Sequence, residues 1–234
     1  MKHLCIVLAW ALLMGGCSSG MHTTADILNG DTWHTNLDLS GRATRYVDEQ
    51  VQLPARPDIL VHPATSLMRP PSAVFFPLRV LQDMPDRQHM GREIGRVFWK
   101  TWLRGQVFPT FEYAQDAPWN GAAKALATAR AMGAELAVGG DITYLYASGT
   151  AGDSEMAMRL EIYDVASGEL IWSMEHSGMM TERITQDYIL FMQKSRLPAS
   201  PLYAITSAIA TDMAAPVKEW IAFSQEQAAS SDLM

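Results

Sequence analysis

The chain holds few groups able to do chemistry, and their spacing limits what each could do. Its two cysteines, Cys5 and Cys17, stand in the first twenty of 234 residues. A folded part beyond them has no disulfide, thiolate metal site or cysteine nucleophile of its own. Ser154 follows Gly152 and Asp153, and such a serine becomes a nucleophile only beside a positioned base. No Asp-x-x-His follows downstream to supply one. His89 and Glu93 stand four apart at helical spacing and could share a metal, but a third ligand is missing and the pair reads as a solvated i, i+4 contact. Gly139-Gly140 is followed by neither Lys-Ser nor Lys-Thr and leads into a strand, which argues for a bulge or a close approach and against a phosphate loop. The 15 methionines, Met156, Met158, Met174, Met179 and Met180 among them, could suggest copper, yet methionine at alternate strand positions is adaptable core. The expectation is a chain with no catalytic, cofactor or metal site.

Composition agrees with that expectation. With 48% hydrophobic and 18% charged residues, the chain has the length for one cored domain with tails and little room for two. Its net charge of −7 becomes about −8 once a leader carrying Lys2 is removed. No basic run remains, which argues against nucleic acid as the partner.

The amino terminus carries the strongest signal. Met1-Lys2-His3 is a short positive start, Leu4 to Met14 is apolar, and Gly15-Gly16 provides small residues beside a cut. The apolar run is too short to span a bilayer as a helix. Leu13-Met14-Gly15-Gly16-Cys17 resembles the lipobox of bacterial lipoproteins, with Met14 where Leu is commonest. That resemblance implies a signal peptide over 1–16, a diacylglyceryl group on the Cys17 sulfur, cleavage before it and acylation of the new amino terminus. Two or three acyl chains make a stable anchor where one is marginal. Ser18 stands where many inner-membrane lipoproteins carry Asp, so the resemblance points to the outer membrane, facing the periplasm. The alternatives are an ordinary secretory leader cut near Gly20 and an uncleaved anchor.

Residues 17–71 read as lipid anchor and extended tether. They are polar and turn-rich, hold Pro54, Pro57, Pro63, Pro70 and Pro71, and keep no sustained period. Ile59-Leu60-Val61 could add an edge strand or dock. The expected domain runs over 72–224. Residues 73–80 form a strand, with Pro77 at an edge or bulge. Met90, Ile94, Val97, Phe98 and Trp102 mark a helix with Asp86 as cap or first-turn acid and Gly91 and Gly95 free for a close approach. Phe108 to Tyr113 is a second strand. Ala122 to Met132, closed by Gly133, is a second helix. Glu135 to Tyr146 is a central strand. Met156, Met158, Leu160 and Ile162 alternate with polar residues along a half-buried antiparallel strand, and Asp164 to Glu169 turns into Leu170 to Met174. Ser177 to Pro198 is expected to be a loop or short helix. A final helix carries Leu202, Ile205, Ile209 and Met213, with Pro216 kinking or restarting it, and 225–234 is a polar tail.

The fold class is therefore α/β (α+β), three-layer-like, a mixed sheet of about five strands in the order β-α-β-α-β-β-β-α. The run Ala131-Met132-Gly133-Ala134-Glu135-Leu136-Ala137-Val138-Gly139-Gly140-Asp141-Ile142 and the later Tyr163-Asp164-Val165-Ala166-Ser167-Gly168-Glu169-Leu170-Ile171-Trp172 resemble a group of envelope proteins. The group comprises the curli-secretion lipoproteins, the lipoprotein activators of penicillin-binding proteins and the amino-terminal domain of TolB. The resemblance covers about Ser72 to Ala222 and carries fold, not function. It implies a lipid-anchored, non-catalytic periplasmic accessory protein that binds an envelope protein or itself. Two alternatives stand beside it. One is a ring- or pore-forming export component, whose spanning strands would need about nine to eleven residues each. The other is a periplasmic hydrolase, since Gly152-Asp153-Ser154 resembles the nucleophile block of some lipid esterases.

Overall fold

The structure is a computed structural model that describes residues 51–64, 67, 69–148, 152–181, 185–188, 191–194 and 200–231, with backbone alone for 185–194 and 225–231. All of them belong to the unit Leu37–Met234. The leader 1–16, Cys17, the rest of the tether to residue 50 and the tail beyond 231 lie outside the described residues, as does the tip of the turn at 149–151. In chain order the elements are β1 (Val51–Gln52), β2 (Asp58–Val61), β3 (Ser72–Phe75), β4 (Arg79–Val80), α1 (Arg87–Arg104), β5 (Thr110–Tyr113) and α2 (Ala122–Ala131). They continue as β6 (Leu136–Ala147), β7 (Ser154–Asp164), β8 (Leu170–Met180), β9 (Thr185–Tyr188), β10 (Phe191–Lys194) and α3 (Pro201–Ser231).

Alternation along β7 sets which of its residues are buried, and β6, β7 and β8 form an antiparallel meander in which Val138 faces Ile162 and Ile162 faces Trp172. The turn between β7 and β8 works because Gly168 takes φ +78°, a conformation that costs a glycine little. Asp164 Oδ1 fixes it by accepting from the Ser167 amide at 2.6 Å and the Ser167 hydroxyl at 2.8 Å. The sheet runs β1-β8-β7-β6-β3-β5, with β2 also on β8 and β4 also on β6. β3 is parallel to both β5 and β6. Its start is clamped by Glu135, whose carboxylate accepts the Ser72 amide at 2.9 Å while the Glu135 amide donates to the Ser72 carbonyl at 3.1 Å.

Helices close both faces around the parallel strands. On one face Ile94, Phe98 and Trp102 of α1 and Ile205, Ile209 and Met213 of α3 pack on Phe75, Ile142, Met158 and Met174. On the other, Ala125 and Ala129 of α2 pack on Val74, Phe76 and Ala137 with Trp119. Gly91 is required where α1 crosses the segment after β3, since a Cβ there would fall 2.1 Å from the Leu78 carbonyl oxygen. The Trp102 indole donates to the Ala210 carbonyl at 2.7 Å and ties α1 to α3.

The expected three-layer α/β order is present, and several details differ. The sheet has eight strands, not about five, because β1, β2 and β4 add two to four residues each. Such short strands show no period in sequence. Within the stretch read as tether, β1 and β2 pair with β8. β3 is central, so Val74, Phe75 and Phe76 are all buried and no aromatic of that strand faces outward. The stretch Ser177 to Pro198, read as a loop or short helix, holds strands where it is described, and 182–184, 189–190 and 195–198 lie outside the described residues. β8 continues to Met180, and β9 and β10 form a hairpin. Asp86 stands at the amino end of α1 with φ 55° and makes no side-chain cap. α3 runs through Pro216 without restarting and past residue 225 to Ser231. Pro216 simply has no N–H to offer Asp212, four residues earlier.

Candidate functional site: the open face of the sheet

Side-chain parity decides which residues reach solvent. Residues of β6, β7 and β8 in register with Ile142, Met158 and His176 face α1 and α3, while their neighbours face the other way. On that other side α2 covers the β3 end of the sheet. Trp119 closes the cover: its ring lies on Gly139, where a Cβ would fall 2.1 Å from Cε3. Phe76 and Tyr163 flank it, with ring centroids 6.1 Å away in each case.

Beyond Trp119 the face is open among the described residues, and a row of charges crosses it. Arg79 on β4 registers with Asp141 on β6, Asp141 with Arg159 on β7, Arg159 with Glu175 on β8, and Glu175 with Asp58 on β2. Arg79 grips Asp141 with two parallel bonds, Nε to Oδ1 at 2.8 Å and Nη2 to Oδ2 at 2.9 Å. Arg159 Nε donates to Glu175 Oε1 at 2.6 Å. Each guanidinium is held above its ordinary pKa chiefly by its hydrogen-bonded carboxylate. Two-point contacts of this kind fix orientation more than they add stability at an exposed surface. The row ends with Asp58 opposite Glu175, like charges that disfavour each other. A bulge between Ile142 and Tyr144 then turns Tyr144 and Tyr146 outward, 42% and 54% exposed. A shallow cavity of about 220 Å³ lies along this face, lined by Arg56, Asp58, Thr143, Ala157, Glu175 and Ser177 among others.

The residues singled out for chemistry are scattered. His89 is exposed on α1, and Glu93, buried one turn on, pairs with Arg96 at 2.9 Å and not with His89. Ser154 is the first residue of β7, not part of the turn, and its buried hydroxyl has no hydrogen-bond partner. Gly139-Gly140 serves close approach, Gly139 to the ring of Trp119 and Gly140 to the backbone of Arg159. Among the described residues, no group of three or more His, Cys, Asp or Glu could hold a metal, and no helix is long and apolar enough to cross a membrane. Met156, Met158, Met174 and Met180 are core.

One part-buried polar pair escaped sequence reasoning. His176 on β8 is 5% exposed and lies 3.2 Å, Nε2 to Oδ2, from Asp212 of α3. Its signal was parity, since His176 falls in the inward series Trp172, Met174, His176, Gly178, Met180. The β7 register places Ser154 four residues from the partner of His176, about 13 Å at the usual strand rise, so the two are not a nucleophile and base.

The geometry defines a three-layer α/β sheet domain with one face half open. No family model matches the chain, and no curated protein matches it. Solved structures similar to it include the PelC dodecamer from Paraburkholderia phytofirmans, 19% identical over 72% of this chain and 97% of that one, with a TM-score of 0.47. Lipoprotein GNA1162 from Neisseria meningitidis is 11% identical, over 63% and 99% of the two chains, with a TM-score of 0.38. The LpoB C-terminal domain from Salmonella enterica is 13% identical, over 47% and 83%, with a TM-score of 0.26. Likenesses at these scores carry no inference about the function of this chain.

Proposed function

We propose that this chain is a lipid-anchored accessory protein of the bacterial cell envelope that binds an envelope protein through the open face of its sheet, without catalysis. The anchor is Cys17, and the location is the periplasmic side of the outer membrane, a reading supported by Leu13-Met14-Gly15-Gly16-Cys17-Ser18. The observation that carries the binding role is the asymmetry of the sheet. One face is covered by α1 and α3, whereas on the other an ordered row of paired charges and two outward tyrosines lie uncovered among the described residues. Outward aromatic residues beside a row of oriented charges suit a protein interface, in which the rings contribute affinity and the charges select the partner. The dispersal of His89, Glu93, Asp153 and Ser154 supports the non-catalytic part.

The test is photo-crosslinking in cells, with a benzophenone amino acid at Tyr144 or, as a control, at the exposed Lys218 of α3. A discrete membrane-fraction adduct from Tyr144 and none from Lys218 is the expected result. An adduct of twice the chain mass would make the partner a second copy. No adduct from Tyr144 or Tyr146, or the same pattern from Lys218, contradicts the reading.

A further inference from the structure

A cavity of about 390 Å³ opens at the Arg79 end of the charge row, and neither Tyr144 nor Tyr146 lines it. Its position follows from topology. The chain leaves β3, continues as β4, crosses one face as α1 and returns as β5 on one side of β3. It then leaves β5, crosses the opposite face as α2 and returns as β6 on the other side. The connections after the adjacent parallel strands β3 and β5 therefore diverge to opposite faces, and a crevice opens between them at the carboxyl ends of the strands. This is where open α/β sheets hold ligands. The cavity is that crevice, walled by residues 78–81 on one side and 118–120 on the other, with Arg87 and Gln88 at the start of α1.

We propose that this crevice binds a small amphipathic anion. The apolar part of the ligand rests on Leu78, Val80 and Trp119, and the exposed Leu81 stands at the rim. Its oxyanion head, a carboxylate or a phosphate, meets the two guanidiniums. Asp141 occupies Arg79 through two of its five N–H groups and fixes its plane, leaving the others to donate. Among the described residues Arg87 is held only by an exposed 3.5 Å contact with Asp83, a weak restraint that a better acceptor displaces. The carboxylates of Asp83, Asp86 and Asp141 keep the site from attracting anions indiscriminately, so the apolar body is needed for affinity. Gln88 and Asn120 supply neutral hydrogen bonds. The volume lies in the range of about 300–1,000 Å³ usual for small-molecule sites.

The test uses the full chain labelled with 5-fluorotryptophan and followed by fluorine NMR, with the Trp119 resonance assigned by Trp119→Phe. Three probes are titrated: 3-phenylpropionate, 2-phenylethyl phosphate and the neutral 3-phenylpropanamide. The expected result is a saturable shift of the Trp119 signal with at least one anion, binding at least fivefold tighter than the amide. Arg87→Gln weakens it about fivefold, and Asn120→Trp, which fills the mouth, abolishes it. Unchanged Trp102 and Trp172 signals certify that each variant is folded. Which anion binds more tightly assigns the head group. No Trp119 shift with either anion, equal binding of the amide, or full affinity in Arg87→Gln overturns the proposal. None of these outcomes bears on the adduct from Tyr144.

Discussion

The ring of Trp119 lies directly against the backbone of Gly139, at a distance that admits no side chain. It joins the α2 cover to the central strand and marks where the covered part of that face ends. Gly139→Ala is expected to displace Trp119 and destabilise the domain by about 1–3 kcal/mol, the usual cost of overpacking a filled core. Denaturant unfolding checks this, and an unchanged midpoint would remove the contact from the folding core.

On the other face, Trp172 is 4% exposed and meets Trp220 edge to face with centroids 6.0 Å apart. Trp172→Ala should cost about 3–5 kcal/mol through loss of buried area and the cavity left behind. Thermal unfolding at the wild-type temperature would contradict this.

The clamp at the start of β3 gives a smaller effect. Glu135→Gln removes the charge that receives the Ser72 amide and should destabilise by about 1–2 kcal/mol, as for a charged hydrogen bond that is weakened and not emptied. Glu135→Ala should cost more, and a Glu135→Gln variant as stable as the wild type would show that the charge-assisted bond contributes nothing.

Alkaline titration tests the environment of two tyrosines. Tyr163 is pushed up to about 12, first by burial and then by the neighbouring Glu161, to which its hydroxyl donates at 3.0 Å. Tyr113 is raised as well, chiefly by burial, with its hydroxyl donating to the Arg92 carbonyl. The folded state holds these protons more tightly than the unfolded chain, whose tyrosines titrate near about 10. Their contribution to stability is therefore complete below about pH 10 and is lost as pH rises through the folded values. Tyr163→Phe should flatten the decline in stability above pH 10 measured by urea titration, and an identical decline would refute the assignment.

The parts of this fold legible in the sequence are those long enough to repeat. Alternation from Met156 to Tyr163 announces β7 and leads through its turn to the return at Leu170–Met174, and five apolar residues at helical spacing announce α1. The extension of β8 to Met180 was hidden because His176 and Gly178 interrupt the apolar series. His176 finds its partner on α3, and Gly178 is a glycine because a Cβ would press on Leu53 and Ile205. β1 was illegible for a different reason, being two residues long and defined by what β8 offers it, whereas β2 was half legible, since Ile59-Leu60-Val61 could add an edge strand or dock. The open face was half legible. Arg159 and Glu175 stand on polar parity, but Tyr144 and Tyr146 share the sequence parity of Ile142 and face outward only through the bulge, and that Asp141 and Arg79 join the row depends on the register between strands more than sixty residues apart.

The central claim, a protein-binding face on a lipid-anchored chain, is tested most directly by the yield of the Tyr144 crosslink in cells expressing variants at equal level. The account predicts that Arg159→Glu, which breaks the charge row without touching the core, reduces the adduct at least tenfold. Cys17→Ser, which takes up no labelled fatty acid, should reduce it too, while Ser154→Ala leaves it unchanged. An adduct insensitive to Arg159→Glu would contradict the account.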